Sequence, residues 1–100
     1  MYPIYTLCTS NKNLTSSDIL SGNKTVKNSP AGSYAFTASQ NMQYFWICVP
    51  QTMEVKGVTM SGFAVPMQAY ETVTVEGKDI YKCYRSVNTN DAGSYTLIIS

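Results

Sequence analysis

Apolar and polar residues alternate along this chain with period two, and turn signals restart the alternation roughly every ten residues. Only an antiparallel β architecture accommodates that rhythm. Tyr2, Ile4 and Thr6 alternate with Pro3, Tyr5 and Leu7 in a first strand that should end by Cys8, with Pro3 near its start or on an edge. Beyond Pro30-Ala31-Gly32, Tyr34, Phe36 and Ala38 share one face and Ser33, Ala35 and Thr37 the other. The run from Met42 to Val49 is apolar on both faces, as a strand covered on two sides must be, and Pro50 ends it. With Ser39-Gln40-Asn41 as a turn, these two strands are expected to form a core hairpin. Val55–Met60 and Phe63–Met67 read as short strands joined by a tight turn at Ser61-Gly62. Glu71–Glu76 and Asp79–Arg85 alternate cleanly about Gly77-Lys78 and form the clearest hairpin of the chain. A loop from Asn88 to Gly93 leads into a terminal strand, Ser94–Ser100.

One segment departs from this rhythm. Thr15 is a candidate N-cap with Asp18 three residues on, Leu14 and Ile19 are placed as a hydrophobic staple, and Gly22 is a stop. This predicts one short helix near Thr15–Ser21 that covers one end of a sheet. The expected fold is therefore an all-β antiparallel sandwich, jelly-roll or immunoglobulin-like, of seven or eight short strands with that helix. One hundred residues suit a single domain, 1–100. Residues 1–28, poorer in aromatics and richer in Asn, Ser and Lys, are set apart by composition as a partly extended arm on the core.

Composition removes several functions. Charged residues make up 13% of the chain against about 25% in ordinary soluble domains, the net charge is +1, and the seven Lys and Arg are scattered from Lys12 to Arg85. Nothing in this pattern forms the basic footprint of a nucleic-acid binder. The apolar run Tyr44–Pro50 is far short of the ~20 residues that span a bilayer, and the first residues do not read as a signal peptide, so no membrane insertion or processing is expected. Histidine is absent, which eliminates Ser-His-Asp and Cys-His catalysis and the common zinc and iron ligand sets. The glycines are single, so neither a P-loop nor a dinucleotide fingerprint can be written, and no cofactor or metal is expected. Glycoside cleavage requires only two carboxylates, but Asp18, Glu54, Glu71, Glu76, Asp79 and Asp91 all fall at the helix start, strand borders, turns and loops, where solvated acids are common. The chain reads as a non-enzyme.

Cys8, Cys48 and Cys83 are odd in number and lack C-x-x-C spacing, so buried unpaired thiols are expected, in keeping with assembly in a reducing compartment. Asn13-Leu14-Thr15 and Asn23-Lys24-Thr25 match a glycosylation pattern that a chain rich in Asn, Ser and Thr produces by chance. Among twelve aromatics, Tyr34, Phe36, Tyr44 and Trp46 have core spacing. Tyr2, Tyr5, Phe63 and Tyr70 are the candidates for an exposed interaction surface.

Asp91-Ala92-Gly93-Ser94-Tyr95 resembles the D-x-G-x-Y stretch of the immunoglobulin tyrosine corner, although with only five residues after Tyr95 a simple turn into a last strand is the expectation. More broadly, Gln43–Pro50, Gly62-Phe63-Ala64-Val65-Pro66, Ile80–Arg85, Ala92–Leu97 and the Leu-Thr-x-x-Asp-Ile start at Leu14 resemble small β-sandwich modules of tailed-bacteriophage virion proteins. That resemblance implies a virion structural role, as a capsid-decoration or tail/fibre component assembled in host cytoplasm. Its implied partners are other virion proteins or copies of itself, with host-surface glycan or protein as a further contact. A carbohydrate-binding or adhesion module is the alternative, and a glycoside-cleaving enzyme, with carboxylates about 5 to 9.5 Å apart, the third reading.

Overall fold

The computed structural model of the chain describes residues 2–15, 18, 23–27, 32–75 and 79–100. Its strands are β1 (Tyr2–Thr9), β2 (Asn23–Lys27), β3 (Gly32–Ala38), β4 (Tyr44–Pro50), β5 (Val55–Met60), β6 (Phe63–Val65), β7 (Met67–Val75), β8 (Asp79–Ser86) and β9 (Gly93–Ile99). They form two antiparallel sheets. Sheet A has the order β2-β1-β4-β8-β7, and sheet B the order β3-β9-β5-β6. The doubly apolar β4 takes the middle of sheet A, where both of its faces are covered.

Alternation then divides the side chains into two buried clusters. Inward from β4 point Phe45, Ile47 and Val49, which meet Tyr34, Ala38, Val58, Tyr95, Leu97 and Ile99 of sheet B in the inter-sheet core. Outward lie Trp46 and Cys48, clustered with Tyr81 and Cys83 and flanked by Tyr5, Leu7, Leu14 and Tyr44. The chain after β1 covers this outer face: Trp46 Nε1 donates to the Asn11 carbonyl at 3.2 Å, and Arg85 Nη1 to the Lys12 carbonyl at 3.1 Å. Arg85 is buried, and its guanidinium stands 5.3 Å from the centre of the Tyr44 ring and 5.9 Å from that of Trp46. Among the described residues it makes no ion pair, so backbone carbonyls and ring faces satisfy the charge.

Two bulges adjust the faces. In β5 the register steps from Val55 opposite Ile99 to Gly57 opposite Ile98, so Val55 and Val58 both reach the core although three residues apart. In β7 it steps from Ala69 opposite Tyr84 to Thr72 opposite Lys82, which places Tyr70 and Glu71 across from the single Cys83. Tyr70 then packs edge-on against Trp46 at 4.8 Å.

Several expectations are met and several are corrected. The antiparallel sandwich is present, as are the β5–β6 and β7–β8 hairpins. The expected hairpin of β3 and β4 is not: β3 pairs with β9 and β4 with β1 and β8, so the segment between them crosses from one sheet to the other. Stretch 1–28, set apart by composition, contributes β1 and β2 to sheet A, and Ile4 lies in the core. The helix expected near Thr15–Ser21 falls for the most part outside the described residues, of which Asp18 is helical, and apart from that segment no helix stands among the described elements. Of the segment Thr15–Ser21, the expected capping contacts are formed: Thr15 N–H and Oγ1 donate to Asp18 Oδ2 at 3.1 and 2.9 Å, and Asp18 N–H donates to the Thr15 carbonyl. Positions 16, 17 and 19–21 lie outside the described residues.

The cysteine expectation also changes. Cys48 and Cys83 are directly opposite in the β4–β8 register, Cα atoms 4.3 Å apart, and form a disulfide. A spacing near 4.5 Å is that of a non-hydrogen-bonded antiparallel pair, where facing side chains come closest. Only Cys8 is a free thiol. The turn expected at Asp91–Tyr95 proves to be a tyrosine corner, with Tyr95 Oη donating to the Asp91 carbonyl at 2.6 Å.

Three measurements check this architecture. The disulfide closes a loop of 35 residues, and reduction is expected to lower the unfolding free energy in urea by roughly 3–4 kcal/mol. Denatured, unreduced protein should titrate one thiol per chain. Tyr95→Phe keeps the ring and removes the corner bond, so it should cost about 1–1.5 kcal/mol in the same assay.

Candidate interaction surface

Strand directions decide which loops share an end of the sandwich. Strands β3, β5 and β8 finish, and β4, β6, β7 and β9 begin, at the end that carries the segments 39–43, 61–62 and 87–92. Short connections and side-chain bonds pin these segments. Gln43 and Asn90 exchange two backbone hydrogen bonds of 2.8 Å, the Ala92 N–H donates to Asn41 Oδ1 at 2.9 Å, and the Val87 N–H donates to the Pro66 carbonyl at 2.9 Å. Beneath them Ser86 Oγ, fully buried, accepts from the Phe45 N–H and donates to the Asn88 carbonyl, each at 2.9 Å. The loop backbone is thus held from below.

On this pinned backbone three large apolar side chains face solvent. Ser61 and Gly62 both have positive φ, 50° and 84°, the pattern of a two-residue type I′ turn, and the strand that leaves it begins with Phe63, 78% exposed. Met42 has a φ of 58°, an uncommon left-handed conformation for a residue with a side chain, and is 66% exposed. Val87, next to the bond with Pro66, is 40% exposed. Apolar groups held out on ordered loops mark a contact surface more strongly than scattered exposed residues do.

The four aromatics expected at a surface are distributed unevenly. Phe63 is at the loop end. Tyr5 and Tyr70 lie on the outer face of sheet A, Tyr5 half-buried against Tyr81 with ring centres 5.6 Å apart and Tyr70 exposed beside Trp46. The side chain of Tyr2 lies outside the described residues. Met42 and Val87 were missed by sequence reasoning, Met42 because it continues the apolar run of β4 and Val87 because it is a single apolar residue between Ser86 and the Asn-rich loop from Asn88, where nothing local marks exposure.

Among the described residues no group of three His, Cys, Asp or Glu side chains gathers to hold a metal. Asp18 is bound to Thr15, Asp91 stands at the tyrosine corner, and Glu54 pairs with Lys82 at 2.7 Å, a contact that holds its carboxyl below the usual range. Among the described aromatics of the outer face, Trp46 and Tyr81 are buried and Tyr70 alone is exposed, so they form no stacking row.

A groove of about 520 Å³ runs between β1 and β3, lined by Thr6, Leu7 and Cys8 on one side and Ala35 and Thr37 on the other. Burial pushes the Cys8 thiol up to about 11 from 9.0. Because the folded value is the higher one, this contribution to stability is held below pH 9.0 and is lost as pH rises from there through about 11. Alkylation by iodoacetamide near neutral pH should accordingly run about a hundredfold slower than for an open thiol, matching the depleted thiolate. Rates should converge above pH 11. No protein-family model, curated protein or solved structure matches this chain.

Proposed function

We propose that this chain is a non-enzymatic structural module of a tailed-bacteriophage virion, a capsid-decoration or tail/fibre component, whose contacts run through the loop end bearing Met42, Phe63 and Val87. The observation that carries the contact role is the exposure of these three side chains on a backbone held by the Gln43–Asn90 and Val87–Pro66 bonds. A rigid backbone loses little entropy when the surface is covered, which favours lasting assembly. The virion assignment draws on the residue patterns from Gln43 to Leu97 that resemble phage sandwich modules. Low charge agrees with it, because few contacts would depend on ionic strength. The partners are other virion proteins or copies of the chain, with host-surface glycan or protein contacted by the finished particle.

Assembly in host cytoplasm is retained on different grounds. It can no longer lean on three unpaired thiols, but ladder pairing sets Cys48 against Cys83 before any bond forms, so the disulfide is free to close once a particle reaches an oxidising medium. Of the two sandwich types, the immunoglobulin-like one is the better fit, supported by the Tyr95–Asp91 corner. The disulfide departs from that pattern, since it joins neighbouring strands of one sheet.

The carbohydrate-binding alternative requires a planar exposed aromatic row. Among the described aromatics the exposed ones are Phe63 and Tyr70, on different sheets, so this reading ranks second. Peptide mapping of purified particles whose genome encodes the chain should find it as a stoichiometric component. Added chain should cosediment with particles lacking it. Phe63→Ser should weaken that association about tenfold or more while changing stability by under about 0.5 kcal/mol. Retention on a polysaccharide matrix without particle association would replace this proposal with the second reading.

A further inference from the structure

The four outer edges of the two sheets differ in how they resist pairing. An edge strand exposes a row of unpaired N–H and C=O groups, and proteins blunt it with shortness, bulges or charge. In sheet B, β6 is three residues long. In sheet A, β7 is broken by its bulge at Ala69–Thr72, and β2 carries Lys24 and Lys27. Strand β3 has none of these devices. It keeps an uninterrupted seven-residue register with β9 on one side, contains neither charge nor proline, and has no described strand on the other side. The groove between β3 and β1 leaves room beside it.

We infer that β3 is a self-association edge, at which a second copy of this chain adds its own β3 in antiparallel pairing and extends sheet B across a two-fold axis. A two-fold axis through Ala35 sets Ser33 of one copy against Thr37 of the other and Ala35 against Ala35. These side chains are small, uncharged and exposed on the outer face, so like meets like without repulsion. A partner with a different strand would gain the same backbone bonds. A second copy is favoured because a charge-free strand with hydroxyl or methyl side chains at each outward position is complementary to itself. The inference rests on the assembly reading above and adds to its loop-end contact a second one, between copies, at the β3 edge.

Sedimentation velocity across about a hundredfold range of concentration tests it. Wild-type protein is expected to dimerise. Ala35→Lys, which places two ammonium groups face to face on the axis, should raise the dissociation constant about tenfold or more with an unchanged far-UV spectrum and, at concentrations where both proteins are monomeric, an unchanged unfolding midpoint. Ala35→Cys in a Cys8→Ser background should yield a covalent dimer on mild oxidation, because opposed antiparallel positions lie within disulfide reach. A wild-type monomer at all concentrations overturns the edge inference and leaves the loop-end reading to the particle experiment. Dimerisation that ignores Ala35→Lys but fails with Phe63→Ser also overturns it, and supports the loop end. Failure of both self-association and particle binding removes the assembly reading itself.

Discussion

Strand β4 must be dry on both faces, and the rest of the molecule follows from how that is achieved. Its inward residues Phe45, Ile47 and Val49 require a second sheet, and β3, β9 and β5 supply one with Tyr34, Leu97, Ile99 and Val58. Its outward residues Trp46 and Cys48 require a third layer, which a two-sheet sandwich does not have. The chain after β1 provides it by crossing the outer face, with the Asn11 and Lys12 carbonyls meeting the indole and guanidinium donors. Every polar group drawn into these layers is answered: no buried side-chain nitrogen or oxygen among the described residues is left without a partner.

Covering β4 on both sides also determines where function is available. On the outer face of sheet A, Arg85 and the crossing segment cover Trp46 and Tyr81, so these rings serve stability. Among the described residues, the loop end and the β3 edge of sheet B stay open. The loop end is ordered by the tyrosine corner, the Gln43–Asn90 bridge and Ser86, and its backbone turns through left-handed conformations at Met42 and Ser61 that aim apolar side chains outward. Contacts built on such a frame change little between free and bound states.

Strand existence was legible wherever alternation was strong, as in β8 and β9, while β7 begins at Met67, inside the stretch expected to be a separate strand Phe63–Met67, rather than at Glu71. It was illegible in β2, where Asn23-Lys24-Thr25-Val26-Lys27 has one apolar residue and is a strand because β1 offers it an edge. The β3–β4 error has a related cause. A turn-like Ser39-Gln40-Asn41 sequence is compatible both with a hairpin and with a crossing between sheets, and only the competition of β9 for β3 and of β1 and β8 for β4 separates them. Of the expected surface aromatics, Phe63 stood beside a readable tight turn. Tyr70 owes its position to a bulge that period-two reasoning does not contain.

By itself, the sequence determined the all-β class, the missing histidine chemistry, the position of β4 as a doubly covered strand and the turn at Ser61-Gly62. These are local properties: side-chain period, residue type and backbone preference act over a few neighbours. Tertiary structure decided the disulfide, the third layer over Trp46, the convergence of Met42, Phe63 and Val87 on one end, and the undefended edge of β3. Each depends on register or layer order between segments tens of residues apart, and an odd count of cysteines or a run of Ser, Ala and Thr carries no record of which strand will lie alongside.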